Sequence, residues 1–159
     1  SFSAMLLTEQ IRTWAGDFLN SKNQFITELK IGSDAHIQIC IDGIDPVTLA
    51  DCVQLSRYIE SHLDRDAQDF RLDVSSPGAS SPLLDPRQYA KHLGRTLHVT
   101  LENGSEACGH LSACTDTEIT LSFSVREPKP IGKGKHTVHK SVVLPFSQIH
   151  KTIVQLPFQ

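Results

Sequence analysis

Aromatic side chains are scarce in this sequence of 159 residues, at 6%, with one tryptophan and two tyrosines. That scarcity removes the exposed ring platforms on which unpaired bases stack. It also argues against a peptide groove walled by clustered rings. No apolar run approaches the ~18 residues of a membrane span. No charged stretch followed by an apolar core opens the chain, so no secretory signal and no membrane partner are expected. The four cysteines, Cys40, Cys52, Cys108 and Cys114, form no Cys-x-x-Cys pair. They read as reduced thiols of a cytoplasmic protein.

Signals for bond-making chemistry are missing as well. Cys108, His110 and Cys114 lack the fourth ligand and the paired spacing of structural zinc, so packing is their expected role. The eight histidines form no His-Glu-x-x-His pattern. Ser75 and Ser76 have no glycine-flanked nucleophile elbow. Asp42, Asp45 and Asp51 cluster in sequence, yet their positions suit a turn, a pre-proline site and a helix cap. No catalytic residue, metal ligand, cofactor or small-molecule substrate is expected.

What is present is a regular pattern of short elements. Leu7, Ile11, Trp14 and Phe18 follow helical spacing over residues 5–20. Phe25, Leu29 and Ile31, then Ile37, Ile39 and Ile41, predict two antiparallel strands around the Gly32-Ser33-Asp34 turn. Thr48 with Asp51 approximates a capping box. The helix that follows should turn Leu49, Cys52, Val53, Ile59 and Leu63 to the core. A strand at 70–75 completes an α-β-β-α-β domain over residues 1–84.

The strand ends at Ser75-Ser76-Pro77-Gly78. Proline fixes φ and restrains the residue before it, and glycine tolerates unusual φ, so this turn redirects the chain reproducibly. We read it as an interdomain joint, because composition changes there. Residues 1–84 carry twelve acids and six bases, whereas residues 85–159 carry six acids and nine bases. An acidic front and a basic back suit a protein that meets both basic protein and RNA.

Beyond the joint, Asp85-Pro86 starts a short helical turn. Leu97, Val99 and Leu101 alternate, Asn103-Gly104 signals a hairpin, and Gly109 suggests a bulge or a close backbone approach. Ile119 to Val125, Val142 with Leu144, and Thr152 to Leu156 supply further strands, with a single turn at 145–148. Five short strands in residues 85–159 predict a small closed or nearly closed barrel. Phe123 and Phe146 are expected in its core. The segment from Arg126 to Lys140, broken by Pro128, Pro130, Gly132 and Gly134, reads as a long irregular loop. Its cations Arg126, Lys129, Lys133, Lys135 and Lys140 are the candidate RNA- or ribosome-binding residues. Lys133 and Lys135 are expected at its tip.

The Ser75-Ser76-Pro77-Gly78 turn after a Leu-acid-Val strand, then Pro82-Leu83, then Tyr89 ahead of Gly94-Arg95, resembles the ribosome maturation factor RimP family. Ile39-Cys40-Ile41-Asp42, Asp51-Cys52, Ser56-Arg57 and the hairpin glycine Gly109 extend the likeness through most of the chain. The family usually has Leu-Asp-Arg where Ala79-Ser80-Ser81 stands, so no ionic role of that pair carries over. The resemblance implies an α+β protein whose second domain is an SH3-like or Sm-like barrel. It implies a non-catalytic assembly factor of the small (30S) ribosomal subunit, needed for rRNA processing. Its partners would be rRNA and a basic ribosomal protein, and it would act as a monomer. A second reading is an SH3-like adaptor for peptides or proteins.

Overall fold

The computed structural model describes residues 2–64, 66 and 69–156. The chain divides into two compact units, Ser1–Gly78 and Ala79–Gln159. It is a mixed α+β protein with two separate sheets.

The first unit opens with helix α1, Phe2–Asn20. Its buried stripe is Ile11, Ala15 and Leu19, four residues apart, with Leu7, Trp14 and Phe18 flanking it half-buried. The expected stripe of Leu7, Ile11, Trp14 and Phe18 lies beside the buried one, sharing only Ile11 with it. Strand β1 (Gln24–Ile31) pairs antiparallel with β2 (His36–Gly43). Helix α2 (Leu49–Glu60) then leads to β3 (Arg71–Ser75), which pairs parallel with β2 and makes β2 the central strand. Thr48 caps α2: its hydroxyl accepts from Asp51 N at 3.1 Å, while Asp51 Oδ2 accepts from Thr48 N at 2.9 Å. Those bonds hold the Asp51 carboxyl below the usual carboxylate range.

Both helices lie on one face of this sheet. Ile37, Ile39 and Ile41 pack with Ile11, Ala15 and Leu19 of α1 and with Cys52, Leu55 and Ile59 of α2. The expected α2 face needs correction, since Leu49 is 82% exposed and Leu55 is fully buried. Residues 52, 55 and 59 follow the 3.6 period, which Leu49 and Val53 straddle. The opposite face of the sheet is mainly polar, although Phe25 and its strand partner Asp42 are buried on it. There His36 Nε2 meets Asp73 Oδ2 at 2.6 Å, and Arg71 Nε lies 3.4 Å from the same oxygen.

The second unit begins with the short helix α3, Pro86–Tyr89. Asp85 caps it, and the buried Gln88 Oε1 accepts from Leu84 N at 2.7 Å and Asp85 N at 2.9 Å. Strands β4 (Thr96–Leu101), β5 (Glu106–Cys114), β6 (Glu118–Pro128), β7 (Lys135–Pro145) and β8 (Ile149–Val154) follow. Their order in the sheet is β7-β6-β5-β4-β8. Asn103-Gly104 does lie in the β4–β5 connection. Gly104 N donates to Leu101 O at 2.9 Å, with Gly104 at φ 89°. Only the glycine takes the left-handed region, so this is a type I turn with a following glycine rather than the primed turn of an Asn-Gly pair.

Of the closed or nearly closed barrel expected, closure is not found: the sheet is open. Pro145 ends β7, and a single 3-10 turn at Phe146–Gln148 carries the chain to β4 at the other end of the sheet. The two end strands make no ladder with each other among the described residues. Both nevertheless reach one core, where Leu144 of β7 and Val154 of β8 pack with Leu97, Val99, Leu111, Ile119 and Leu121. The curl of the sheet encloses the apolar face, with Leu83, Tyr89 and Phe146 from outside the strands completing it. Tyr89 plugs this core, and its hydroxyl donates to the buried Thr152 Oγ1 at 2.7 Å. Burial pushes the Tyr89 phenol above its ordinary pKa. Leu83 joins the same core, and its N–H donates to Thr152 O at 2.9 Å.

Candidate nucleic-acid interface

Residues 126–140 are not a loop. Strands β6 and β7 pair without interruption from Glu118↔Pro145 to Pro128↔Lys135. Only 129–134 are irregular. The alternation of Val125 and Val138 carries the ladder outward, and Pro128 is tolerated because it forms the last pair. Gly132 and Gly134, at φ 86° and 89°, supply the left-handed backbone of the tip. Lys129 N closes that tip onto Gly134 O at 3.1 Å.

Strand β5 accompanies β6 only from Cys114↔Ile119 to His110↔Ser122. Beyond Ser122 the hairpin continues as a two-stranded ribbon. The separation happens beside Gly109, where an added Cβ would lie 2.8 Å from Ser122 O. Close backbone approach is therefore what that glycine provides. The bulge lies elsewhere, between Leu111 and Ala113.

Alternation sorts the ribbon into two faces. One carries Phe123, Val125 and Glu127 on β6 against Lys140, Val138 and His136 on β7. On that face Lys140 Nζ meets Glu127 Oε1 at 2.6 Å. Phe123, expected in the core, lies on the ribbon instead, and only Phe146 packs against the core. The other face carries Ser122, Ser124, Arg126 and Pro128 against Ser141, His139, Thr137 and Lys135. Here Arg126 is tied across the hairpin, donating to Thr137 Oγ1 at 3.0 Å and to Lys135 O at 3.1 Å. Ser124 Oγ and His139 Nδ1 are 2.8 Å apart.

The five expected cations thus fall in three places. Lys129 and Lys133 belong to the exposed tip, Arg126 and Lys135 to one face of the ribbon, and Lys140 to the other. Among the described residues, Lys140 alone of the five is in an ion pair. A hollow of ≈530 Å³ lies along the hairpin, lined by His110, Ser122, Ser124, His139 and Ser141 with Phe123 and Lys140. Sequence reasoning missed its histidines and serines. The period-2 pattern through 118–128 and 135–145 was the available signal, and the proline and glycine content masked it.

Ser75 ends β3 opposite Cys40, with Ser76, Pro77 and Gly78 following it. Cys108 is exposed, whereas Cys114 packs half-buried against the second core. No group of three His, Cys, Asp or Glu side chains is placed to hold a metal ion among the described residues. Among the described residues, no helix is long and apolar enough to cross a membrane.

A family model described as the RimP N-terminal domain matches residues 19–80. The chain is 45% identical over 154 residues to a ribosome maturation factor RimP of Christiangramia forsetii, covering 96% of this chain and 100% of that protein. It is 42% identical over 137 residues to the Flavobacterium psychrophilum protein of the same name, covering 86% and 88% of the two chains. A Porphyromonas gingivalis relative, again named ribosome maturation factor RimP, is 37% identical over 128 residues, covering 80% of this chain and 84% of its own.

Proposed function

The chain belongs to the ribosome maturation factor RimP family, and on that premise we propose that it acts in maturation of the small (30S) ribosomal subunit without catalysing a reaction. The observation that carries this reading is the likeness to a ribosome maturation factor along 96% of the chain. The work is done by binding. A factor that prefers one arrangement of the immature particle stabilises it by the difference in affinity between arrangements.

Two surfaces support contact with the particle. The cationic hairpin, with Arg126, Lys129, Lys133 and Lys135 free of ion pairs, suits rRNA; Lys140, already engaged by Glu127, contributes least. The acid-rich first unit suits a basic ribosomal protein. Ser75, Ser76, Pro77 and Gly78 are proposed as the joint between the two domains. The four-strand meander, the single 3-10 turn and the returning last strand support reading the second unit as a curled relative of SH3-like folds. The protein is read as a cytoplasmic monomer.

The adaptor reading has one observation in its favour, a hollow of ≈200 Å³ between Leu83, Leu84, Tyr89, Phe146 and Ile149. Deleting the gene separates the two. Immature small-subunit rRNA should accumulate, and the protein should sediment with free small subunits on a sucrose gradient. Normal precursor levels would favour the adaptor.

A further inference from the structure

The outward face of the second sheet has a chemistry unlike the rest of the surface. Ser122, Ser124 and Arg126 follow one another on alternate residues of β6, with Ser141, His139 and Thr137 opposite them. His110 extends the row onto β5 opposite Ser122, and Thr96 extends it onto β4 opposite His110. Strand alternation puts Glu127 on the other face, where it meets Lys140, while Glu118 on β6 and Glu106 on β5 share the outward face but lie four residues beyond Ser122 and His110. The row therefore offers hydroxyls, imidazoles, a guanidinium and an ammonium, with no acid among them.

The two imidazoles are already oriented. His139 uses Nδ1 toward Ser124 Oγ at 2.8 Å, and His110 uses Nδ1 toward Thr96 Oγ1 at 3.3 Å. In both rings Nε2 is left for a ligand. Arg126 is held by Thr137 and the Lys135 carbonyl, which fixes its guanidinium before any ligand arrives. Successive side chains on this face are about 6.7 Å apart along β6, of the order of the spacing between neighbouring phosphates of a nucleic-acid strand. No phenylalanine, tyrosine or tryptophan stands in the row, so its only rings are the two imidazoles, each already hydrogen-bonded through Nδ1.

We propose that this row (His110, Ser122, Ser124, Arg126, Lys135 and His139) is a track for a phosphodiester backbone, read without regard to base sequence, and that the ribbon's other face takes no part. The proposal rests on the rRNA-binding reading and assigns it to one face of the hairpin. Charged donors supply the salt-dependent part of binding, and the hydroxyls and imidazoles supply register.

The test is fluorescence anisotropy with a short fluorescein-labelled RNA duplex, titrated from about 50 to about 200 mM salt. Circular dichroism melts check that each variant is folded. Arg126→Gln with Lys135→Gln should flatten the salt slope by about 1.5 and weaken binding at least tenfold, since each phosphate contact contributes roughly 0.7 to 0.9 to that slope. Ser122→Ala with Ser124→Ala should weaken binding several-fold and leave the slope unchanged, because hydroxyls carry no charge and release no counterion. Lys140→Gln should bind within about twofold of the unaltered protein. Slope loss in Lys140→Gln equal to that in Arg126→Gln overturns the proposal. So does unaltered binding by both row variants, or equal affinity for polyglutamate in place of RNA. If the unaltered protein itself shows no salt-dependent RNA binding, the rRNA reading fails, and the row falls with it.

Discussion

In the first unit the apolar face of the sheet lies under two helices, with Ile37, Ile39 and Ile41 packed against α1 and α2. In the second, the longest helix runs only from Pro86 to Tyr89, and the apolar face is enclosed by the sheet curling on itself around the single plug of Tyr89. The consequence is a division of labour between faces. A helix-covered sheet leaves the opposite face outside its main core, and here that face carries the His36–Asp73 hydrogen bond and the Arg71–Asp73 ion pair. A curled sheet turns its whole polar side outward, and strands longer than the core needs extend past it as a ribbon. Strands β6 and β7 do this: Ile119, Leu121 and Leu144 near one end are buried, while Arg126 and Lys135 near the other are exposed.

The sharpest way to break this comparison is to damage one core. Leu55 is fully buried among the helix and sheet residues of the first unit. Leu55→Ala should lower stability by about 2–5 kcal/mol. Native-state hydrogen exchange should show the loss at β2 amides, while Leu97 and Val99 amides keep their protection. Equal loss in both units would mean that the two cores unfold as one.

Gly109 probes the departure of the ribbon from the sheet. Gly109→Ala should cost about 1–3 kcal/mol in chemical denaturation, since the new methyl meets the Ser122 carbonyl and backbone must shift. An unchanged midpoint would show that β6 and β5 do not approach as described.

Tyr89→Phe comes next, at about 1–2 kcal/mol, because Thr152 Oγ1 is left buried without its donor. Tyr89→Phe combined with Thr152→Val should recover much of the loss, for both partners then become apolar. Failure to recover would assign the cost to packing against Phe146 instead.

The smallest effect concerns the Asp85 cap. Its hydrogen bonds from Arg87 hold the carboxyl below the ordinary carboxylate range. A lowered folded pKa stabilises the protein above the unfolded value of about 4, and that stabilisation is lost as pH falls through the lowered folded pKa. Asp85→Asn should therefore cost about 0.5 kcal/mol at pH 7, discounted for the exposed Arg87, and nothing at low pH. A difference that stays constant with pH would remove the ionic contribution.

Much of the first unit was legible in the sequence, because its signals are local. Thr48 and Asp51 spell out a cap, and Ile37, Ile39 and Ile41 alternate as a strand must. The burial of Leu55 over Leu49 was less legible, since the exact face depends on where α1 lies. At the candidate site the lysines and arginine were visible as charge, but not their sorting. Pro128, Pro130, Gly132 and Gly134 weighed toward a loop, and only the unbroken pairing of β6 with β7 outweighed them. The roles of His110, Ser122 and His139 depended on that pairing and so stayed hidden.

Sequence alone therefore determined the element types outside residues 126–140, the Thr48 cap and the opposite charge balance of the two halves, all of which are short-range or compositional properties. Tertiary structure decided that β3 runs parallel to β2, that the second sheet stays open, and that Lys140 and Arg126 face opposite ways. The first two turn on which distant strands pair and in which direction; the third turns on register, where a shift of one residue reverses every side chain, and all three are fixed only when distant strands meet.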